Sequence, residues 1–256
     1  MLIVGLVMNA VRAIIVRGAL TPERYRGPAI FVVLALAVIV GTIVSLGAGD
    51  TVVALMDDGP LSVGGTLLVL TATQIGLLAV AGGLVVAPRA LAGLRLVPPS
   101  GLLRSIGLGL GLAVPAWVAA TVLAYVTSLL LQAVGFHEAT GPIDSALNRA
   151  DPTVILVSFL FVAPVAEEYF FRGVVYNAWE RERGATVAIF GSAALFAAIH
   201  TSLFSLVPIF VLGVVLAVLF QRTRSLPATM ALHAGFNAIS VVLALLARQG
   251  ILTLPT

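Results

Sequence analysis

The sequence predicts an all-α membrane protein, a polytopic bundle of about seven or eight transmembrane helices. Hydrophobic residues make up 60% of the 256 residues and charged residues 10%, whereas soluble domains are roughly 45–50% apolar and about 25% charged. The mean hydropathy is +1.14. The apolar residues also fall in runs close to the ~20 residues with which a helix crosses hydrocarbon. Lipid is therefore the expected solvent, and we interpret residues 1–256 as one membrane domain.

The predicted spans follow in order along the chain. They lie at residues 28–49, 62–87, 102–135, 153–179, 185–200, 204–221 and 227–248. The run at 102–135 is too long for a straight span, so we expect Pro115 to bend it or its ends to lie in the interface. The run at 185–200 is short and is expected to end inside the membrane against protein. Residues 1–27 are predicted to form an interfacial helix or an extra transmembrane segment.

The loop charges predict an orientation. Every basic residue is an arginine, and the arginine-bearing loops alternate with acidic ones, with Arg149 the main exception. Because positive loops favour the cytoplasmic side, the N-terminus is predicted to be cytoplasmic in a multi-pass protein of the cell membrane. The net charge of +3 is modest and not gathered in one patch, so the bilayer, and not nucleic acid, is the expected partner. The chain has no cysteine, which excludes disulfides and thiolate metal ligands.

A few ionisable residues lie at membrane depth, all between residues 167 and 237. They are Glu167, Glu168, Arg172, His200 and His233, and Asn237 adds an amide one turn after the last of them. A charge at the bilayer centre costs at least about 2.5–3.5 kcal/mol on insertion scales, so such residues indicate function by default. This cluster is the candidate site.

Helical spacing divides the cluster. Glu168 and Arg172 are four residues apart, in the favourable acid-first order for an ion pair. Glu167 points about 100° away from Glu168 on an ideal helix, so we expect Arg172 to hold Glu168 while Glu167 meets the imidazoles. The spacing of four also places two further pairs on shared faces, Phe196 with His200 and His233 with Asn237.

These side chains suit hydrolysis of an amide. A carboxylate can act as general base toward water, and imidazole or carboxamide groups can stabilise the resulting oxyanion. Glu167 with His200 around a water, facing His233 and Asn237, would form such a site. Glu167, His200 and His233 are also a candidate ligand set for a divalent metal such as zinc. Alternatives are a structural ion pair, interhelical hydrogen bonds and a proton-coupled transporter.

Three motifs resemble those of one known family. Residues 163–173, APVAEEYFFRG, resemble the E-E-x-x-x-R motif of the CAAX-protease and bacteriocin-processing (CPBP, or Abi) family. Residues 196–200 resemble its F-x-x-x-H motif and residues 233–237 its H-x-x-x-N motif. Each motif alone is weak, but three in order are specific. The resemblance covers a catalytic core at residues 150–245.

The resemblance implies an intramembrane endopeptidase, a hydrolase similar to type II CAAX prenyl endopeptidases. Glu167 would activate water with His200, and His233 and Asn237 would form the oxyanion side. The family has been described both as metallo- and as glutamate-dependent, and we favour water activated by glutamate without an obligatory metal. A peptide or protein presented at the membrane is the implied substrate. A transporter, or a non-catalytic immunity or scaffold protein that keeps the motifs, is the alternative.

By the same resemblance, Glu168, Arg172 and Phe196 would support the site.

The depth of the site residues in the membrane is a separate question. In ideal helices, His233 lies nearer the cytoplasmic surface than Glu167 or His200. The short helix at 185–200 or a tilt must therefore bring the groups level.

Overall fold

The computed structural model of the chain describes residues 101–137, 156–200 and 203–251, and these residues are helical without strands. The predicted spans at 28–49 and 62–87, the segment 1–27 and hence the total of seven or eight helices lie outside the described residues. The described helices are α1 (Leu102–Ala133), α2 (Ala163–Glu168), α3 (Asn177–Ala198), α4 (Leu203–Thr223) and α5 (Leu226–Arg248).

Helix α1 corresponds to the unusually long run predicted at 102–135. It is one helix of 32 residues with Pro115 inside it. At 1.5 Å per residue it is about 48 Å long, longer than the roughly 30 Å of hydrocarbon that it would cross. Its ends must therefore extend beyond the hydrocarbon or the helix must tilt.

Helix α2 lies between two π-helical segments. The first π segment is Ser158–Val162 and the second π segment is Tyr169–Tyr176, which leads directly into α3. The Asn177 amide donates to the carbonyls of Arg172 and Gly173, both at 2.9 Å. This side chain therefore bonds carbonyls of the second π segment. Insertions of this kind occur frequently at functional sites.

Gly184 interrupts α3. Its φ of 83° and ψ of 171° are non-helical, and a glycine adopts a positive φ without the clash that a Cβ causes. The break falls in the gap between the runs predicted at 153–179 and 185–200. The sequence therefore located this interruption correctly.

A tight turn joins α4 to α5, as the runs at 204–221 and 227–248 predict. Ser225 caps α5, because its hydroxyl accepts from the Ala228 amide at 3.2 Å, and Pro227 occupies the first turn, where no amide hydrogen is needed. Arg224 within the turn has a φ of 51°, in the left-handed region.

Small residues bring α1 and α5 together. A Cβ on Gly109 would collide with the Ala228 carbonyl, and one on Gly235 would lie 2.8 Å from the Ala113 Cβ. Close backbone approach at glycine and alanine is typical of helices packed in lipid. Later residues of α1 contact later residues of α5, so the two helices are parallel and begin at the same end of the bundle.

That end carries five of the seven arginines in the described part of the chain, all except the buried Arg172 and Arg248 at the far end of α5. Arg224 precedes α5 and pairs with Glu180 near the start of α3. The arginines gathered there are Arg104, Arg181, Arg183, Arg222 and Arg224. In the described region, α1, α4 and residues Leu226–Ala247 of α5 are long and apolar enough to cross a membrane. The chain is a membrane protein, and its described helices are basic at this end.

Candidate active site

Two adjacent glutamates end α2 inside an apolar shell. Glu167 is 5% exposed, and Glu168 and Arg172 are fully buried. Charges at such a depth are destabilising unless they are paired and hydrogen-bonded. The shell is made by large side chains of the second π segment and its neighbours, including Phe170, Phe171, Tyr176, Phe196, Leu216 and Leu232.

Arg172 binds three groups from three parts of the chain. Its Nη1 donates to Glu168 Oε1 at 2.9 Å, and its Nη2 donates to the Gly213 carbonyl at 3.0 Å. Its guanidinium carbon also lies 4.8 Å from the centre of the Phe196 ring, a favourable cation–π distance. The pair with Glu168 follows the predicted spacing. Arg172 therefore ties the second π segment to α3 and α4.

The sequence did not assign the Gly213 carbonyl to the site. A Cβ at Gly213 would lie 3.0 Å from the Ala193 Cα, so glycine is what allows α4 to pack this close to α3. A backbone acceptor leaves no mark of its own in a motif. The available signal was the glycine inside an otherwise apolar span.

His233 contacts both glutamates through its two ring nitrogens. Its Nδ1 lies 3.0 Å from Glu168 Oε1, and its Nε2 lies 3.9 Å from Glu167 Oε2. Nδ1 is the donor of the shorter contact if the carboxylate is ionised, because an ionised carboxylate only accepts. The expected division gave His233 to Glu167 alone. One imidazole reaches both carboxylates, since its nitrogens lie on different edges of the ring.

His200 is anchored to its own helix. Its Nδ1 lies 2.7 Å from the Phe196 carbonyl, which can only accept, so Nδ1 donates and Nε2 is left as the acceptor nitrogen of a neutral ring. The Phe196 ring centre lies 4.9 Å from that of His200 and 5.7 Å from that of His233. Both imidazoles thus pack on one aromatic ring. The difference in depth expected from ideal helices does not separate them.

Asn237 joins α5 to the first π segment. Its Nδ2 donates to the Phe159 carbonyl at 2.9 Å. This is the interhelical hydrogen bond that the sequence left open as an alternative to an oxyanion role. A carboxamide nitrogen carries two hydrogens, so one N–H remains for another acceptor.

The candidate metal ligands do not form a metal site as placed. Within residues 101–137, 156–200 and 203–251, no group of three His, Cys, Asp or Glu is arranged to hold an ion. His200 and His233 each use Nδ1 for a protein acceptor, which leaves only Nε2 as a ligand atom. Imidazole commonly binds a metal through one ring nitrogen while the other donates to a carbonyl or carboxylate, so the set of Glu167, His200 and His233 stays a prediction.

The region that holds the site is similar to a known protein family. Residues 149–239 match the family described as type II CAAX prenyl endopeptidase Rce1-like. The matched segment contains all three motifs and every candidate site residue. No curated protein matches the chain significantly, and no solved structure does.

Proposed function

We propose that this chain, a member of the CAAX protease family by the match over residues 149–239, cleaves peptide bonds in the membrane with a water activated by Glu167. The approach of Glu167 to within 3.9 Å of His233 is the observation that carries the proposal. It places a carboxylate and an imidazole together in a buried site. Membership of the family implies a protease, and the roles of individual side chains are our inference.

The two glutamates have different surroundings, which supports different roles. Glu168 Oε1 lies 3.0 Å or less from both Arg172 Nη1 and His233 Nδ1, so the Glu168 carboxylate holds these two groups in place. Glu167 lies on the other side of His233 at a distance longer than a hydrogen bond. The hydrogen bond of His233 therefore goes to Glu168, and its other ring nitrogen faces Glu167. Glu167 is the general base of the proposal.

His200 helps to orient the water. Because its Nδ1 donates to the Phe196 carbonyl, the neutral ring presents an acceptor at Nε2. The water oxygen attacks the substrate carbonyl carbon while its proton passes to Glu167. When the tetrahedral intermediate collapses, the carbon–nitrogen bond breaks and Glu167 returns that proton to the leaving amine. Water is the only co-reactant in these steps.

His233 and Asn237 would stabilise the oxyanion. The Glu168–Arg172 pair holds His233 Nδ1, so a protonated ring directs its Nε2–H away from that pair. The second N–H of Asn237 is available beside it on the same face of α5. Removal of one donor of this kind typically lowers kcat by about 10²–10³-fold.

The location of His233 indicates where substrate would enter. It is the eighth residue of α5, about 10 Å along the helix axis from the basic end. A peptide or protein segment presented at that end, which the charge pattern predicts to be cytoplasmic, would reach the site by the shorter path. Backbone at this depth must be hydrogen-bonded by protein or water, so the substrate strand needs a hydrated cleft.

The test is N-terminal proteomics of membranes that carry the protein. Glu167→Gln keeps the shape of the side chain and removes the base, and Glu182→Gln, on the exposed basic end, is the matched control. New peptide ends should appear with the wild type and with Glu182→Gln. They should fall by about 10²–10⁴-fold with Glu167→Gln. Equal processing by Glu167→Gln would show that this residue is not the base.

A non-catalytic membrane protein is the second candidate. The observation in its favour is that His233 Nδ1 and Asn237 Nδ2 bond to acceptors on other helical segments, as interhelical hydrogen bonds would. In that case no peptide ends would depend on Glu167. The substitution Asn237→Ala would then lower thermal stability without changing the proteome.

A further inference from the structure

An ion pair at the basic end joins the two arms of the candidate site. Arg224 donates to both carboxylate oxygens of Glu180, with both distances 2.6 Å. The Tyr176 hydroxyl donates to the same carboxylate at 3.1 Å. These three residues, here called the clasp, connect the second π segment, α3 and the α4–α5 turn. We infer that the clasp positions His233 against the glutamates of α2, an inference that rests on the proposed function.

Short helical segments connect both ends of the clasp to site residues. Tyr176 lies four residues after Arg172 in the second π segment, which follows directly on Glu168. Arg224 lies immediately before Ser225, the cap of α5, and His233 follows two turns later. The clasp therefore fixes how far α5 is displaced along its axis relative to the helix that bears the glutamates.

The contacts of His233 are sensitive to that displacement. One residue of helix advances 1.5 Å, and hydrogen bonds weaken beyond about 3.2 Å. A shift of a single residue would thus break the 3.0 Å contact between His233 Nδ1 and Glu168 Oε1. It would also change the 3.9 Å separation of His233 Nε2 from Glu167.

The backbone at Arg224 points to a use for its side chain. Its φ of 51° is a conformation that glycine adopts without steric cost and other residues adopt rarely. The guanidinium lies 5.9 Å from the ring centre of Tyr176 and 6.0 Å from that of Phe220, and these two rings pack edge to face. The turn is therefore held by its arginine against a buried aromatic pair.

The clasp does not touch the site itself. Neither Glu180 nor Arg224 contacts Glu167, Glu168 or His233 in any described hydrogen bond or ion pair. Their effect must pass through the helices, which makes them positioning residues. A test of this inference must therefore measure a property of His233 itself.

The chain offers such a readout because it contains three histidines, His137, His200 and His233. Protein labelled with ¹⁵N-histidine and held in lipid nanodiscs gives three imidazole spin systems, assigned by His→Gln variants. We expect Glu180→Gln to shift the Nδ1 signal of His233 and to leave that of His137 unchanged. Glu182→Gln, two residues away and exposed, is the control. An unshifted His233 signal in folded Glu180→Gln would overturn the inference.

Kinetics provide the second arm, with a quenched fluorescent peptide that the wild type cleaves. Glu180→Gln and Arg224→Gln should lower kcat between about tenfold and a hundredfold, as expected for a displacement near 1 Å, with little change in KM. Arg222→Gln should not. The reversed pair Glu180→Arg with Arg224→Glu should recover most of the activity and the His233 signal. Failure of that double variant to recover either, while folded, would contradict positioning by the pair.

The two arms separate this inference from the proposed function. If the wild type cleaves no peptide, the proposed function fails, and the His233 signal alone decides whether the clasp positions that ring. If cleavage occurs but depends equally on Glu180, Glu182 and Arg222, the basic end acts through general charge and the clasp has no special role.

Discussion

Two acid–arginine pairs have their glutamates on one continuous stretch of helical chain and differ in their surroundings. Glu168 and Arg172 are fully buried, whereas Glu180 and Arg224 have side chains that are 21% and 44% exposed. The exposed pair has the shorter, two-pronged geometry. The buried pair shares one carboxylate oxygen with His233 and adds the Gly213 carbonyl. Geometry alone would rank the exposed pair as the stronger.

Surroundings reverse that ranking. Exposed ion pairs typically contribute about 0.2–1 kcal/mol, since water and salt screen them. Loss of one member of a buried pair costs about 3–5 kcal/mol, because the remaining charge is left without its partner. The buried pair therefore governs whether the site exists, and the exposed pair governs how it is aligned.

The largest expected effect comes from breaking the buried pair. Arg172→Leu should lower the free energy of unfolding by about 3–5 kcal/mol, because it leaves Glu168 buried without its cation. Arg183→Leu, at an exposed position, is the control. The double variant Glu168→Leu with Arg172→Leu should be more stable than Arg172→Leu alone. Reversible unfolding in detergent measures all three, and a double variant less stable than the single one would contradict this account.

A smaller effect is expected from Gly213→Ala. The new Cβ would meet the Ala193 Cα at 3.0 Å and its Cβ at 3.1 Å, so α3 and α4 must separate and carry the Arg172 acceptor with them. We expect a loss of about 1–3 kcal/mol. Gly111→Ala, where a Cβ meets nothing within 4 Å, should be neutral or stabilising, since alanine favours helix. Equal thermal stability of the two variants would show that the close approach is unimportant.

The smallest effect belongs to the exposed pair, and it depends on pH. The hydrogen bonds from Arg224 hold the pKa of Glu180 below its ordinary value of 4.5. The stabilising contribution is therefore complete above about pH 4.5 and is lost as the pH falls through the lower pKa of the folded state. Glu180→Gln should cost about 1 kcal/mol or less at neutral pH, and high salt should reduce the difference.

Thermal unfolding of the wild type and Glu180→Gln across pH 3 to 7 measures that difference. The two proteins should converge at the acidic end. If the gap between them widened as the pH fell, Glu180 would not be stabilised as an anion.

The sequence predicted the parts that depend on local spacing. Helices α4 and α5, the interruption at Gly184 and the pair of Glu168 with Arg172 all follow from hydropathy, glycine chemistry or the spacing of four. The sequence did not predict the π segments. In the second one, the Asn177 side chain donates to the Arg172 and Gly173 carbonyls, but in the sequence Asn177 is one polar residue among many.

Contacts between helices that lie far apart in the sequence could not be predicted either. His233 meets both glutamates because α5 passes beside the end of α2, and no spacing rule gives the register of two separate helices. The sequence did not predict that Arg224 pairs with Glu180, because this pairing depends on the turn after α4. The side-chain roles remain predictions until activity is measured.

The most direct test compares Glu167→Gln with Glu168→Gln in purified protein reconstituted in liposomes, with a library of quenched fluorescent peptides and parallel thermal unfolding. The account predicts that Glu167→Gln abolishes cleavage with little loss of stability, because Glu168 still holds Arg172 and His233. Glu168→Gln should lose both stability and cleavage. Cleavage by Glu167→Gln at the wild-type rate would contradict the account.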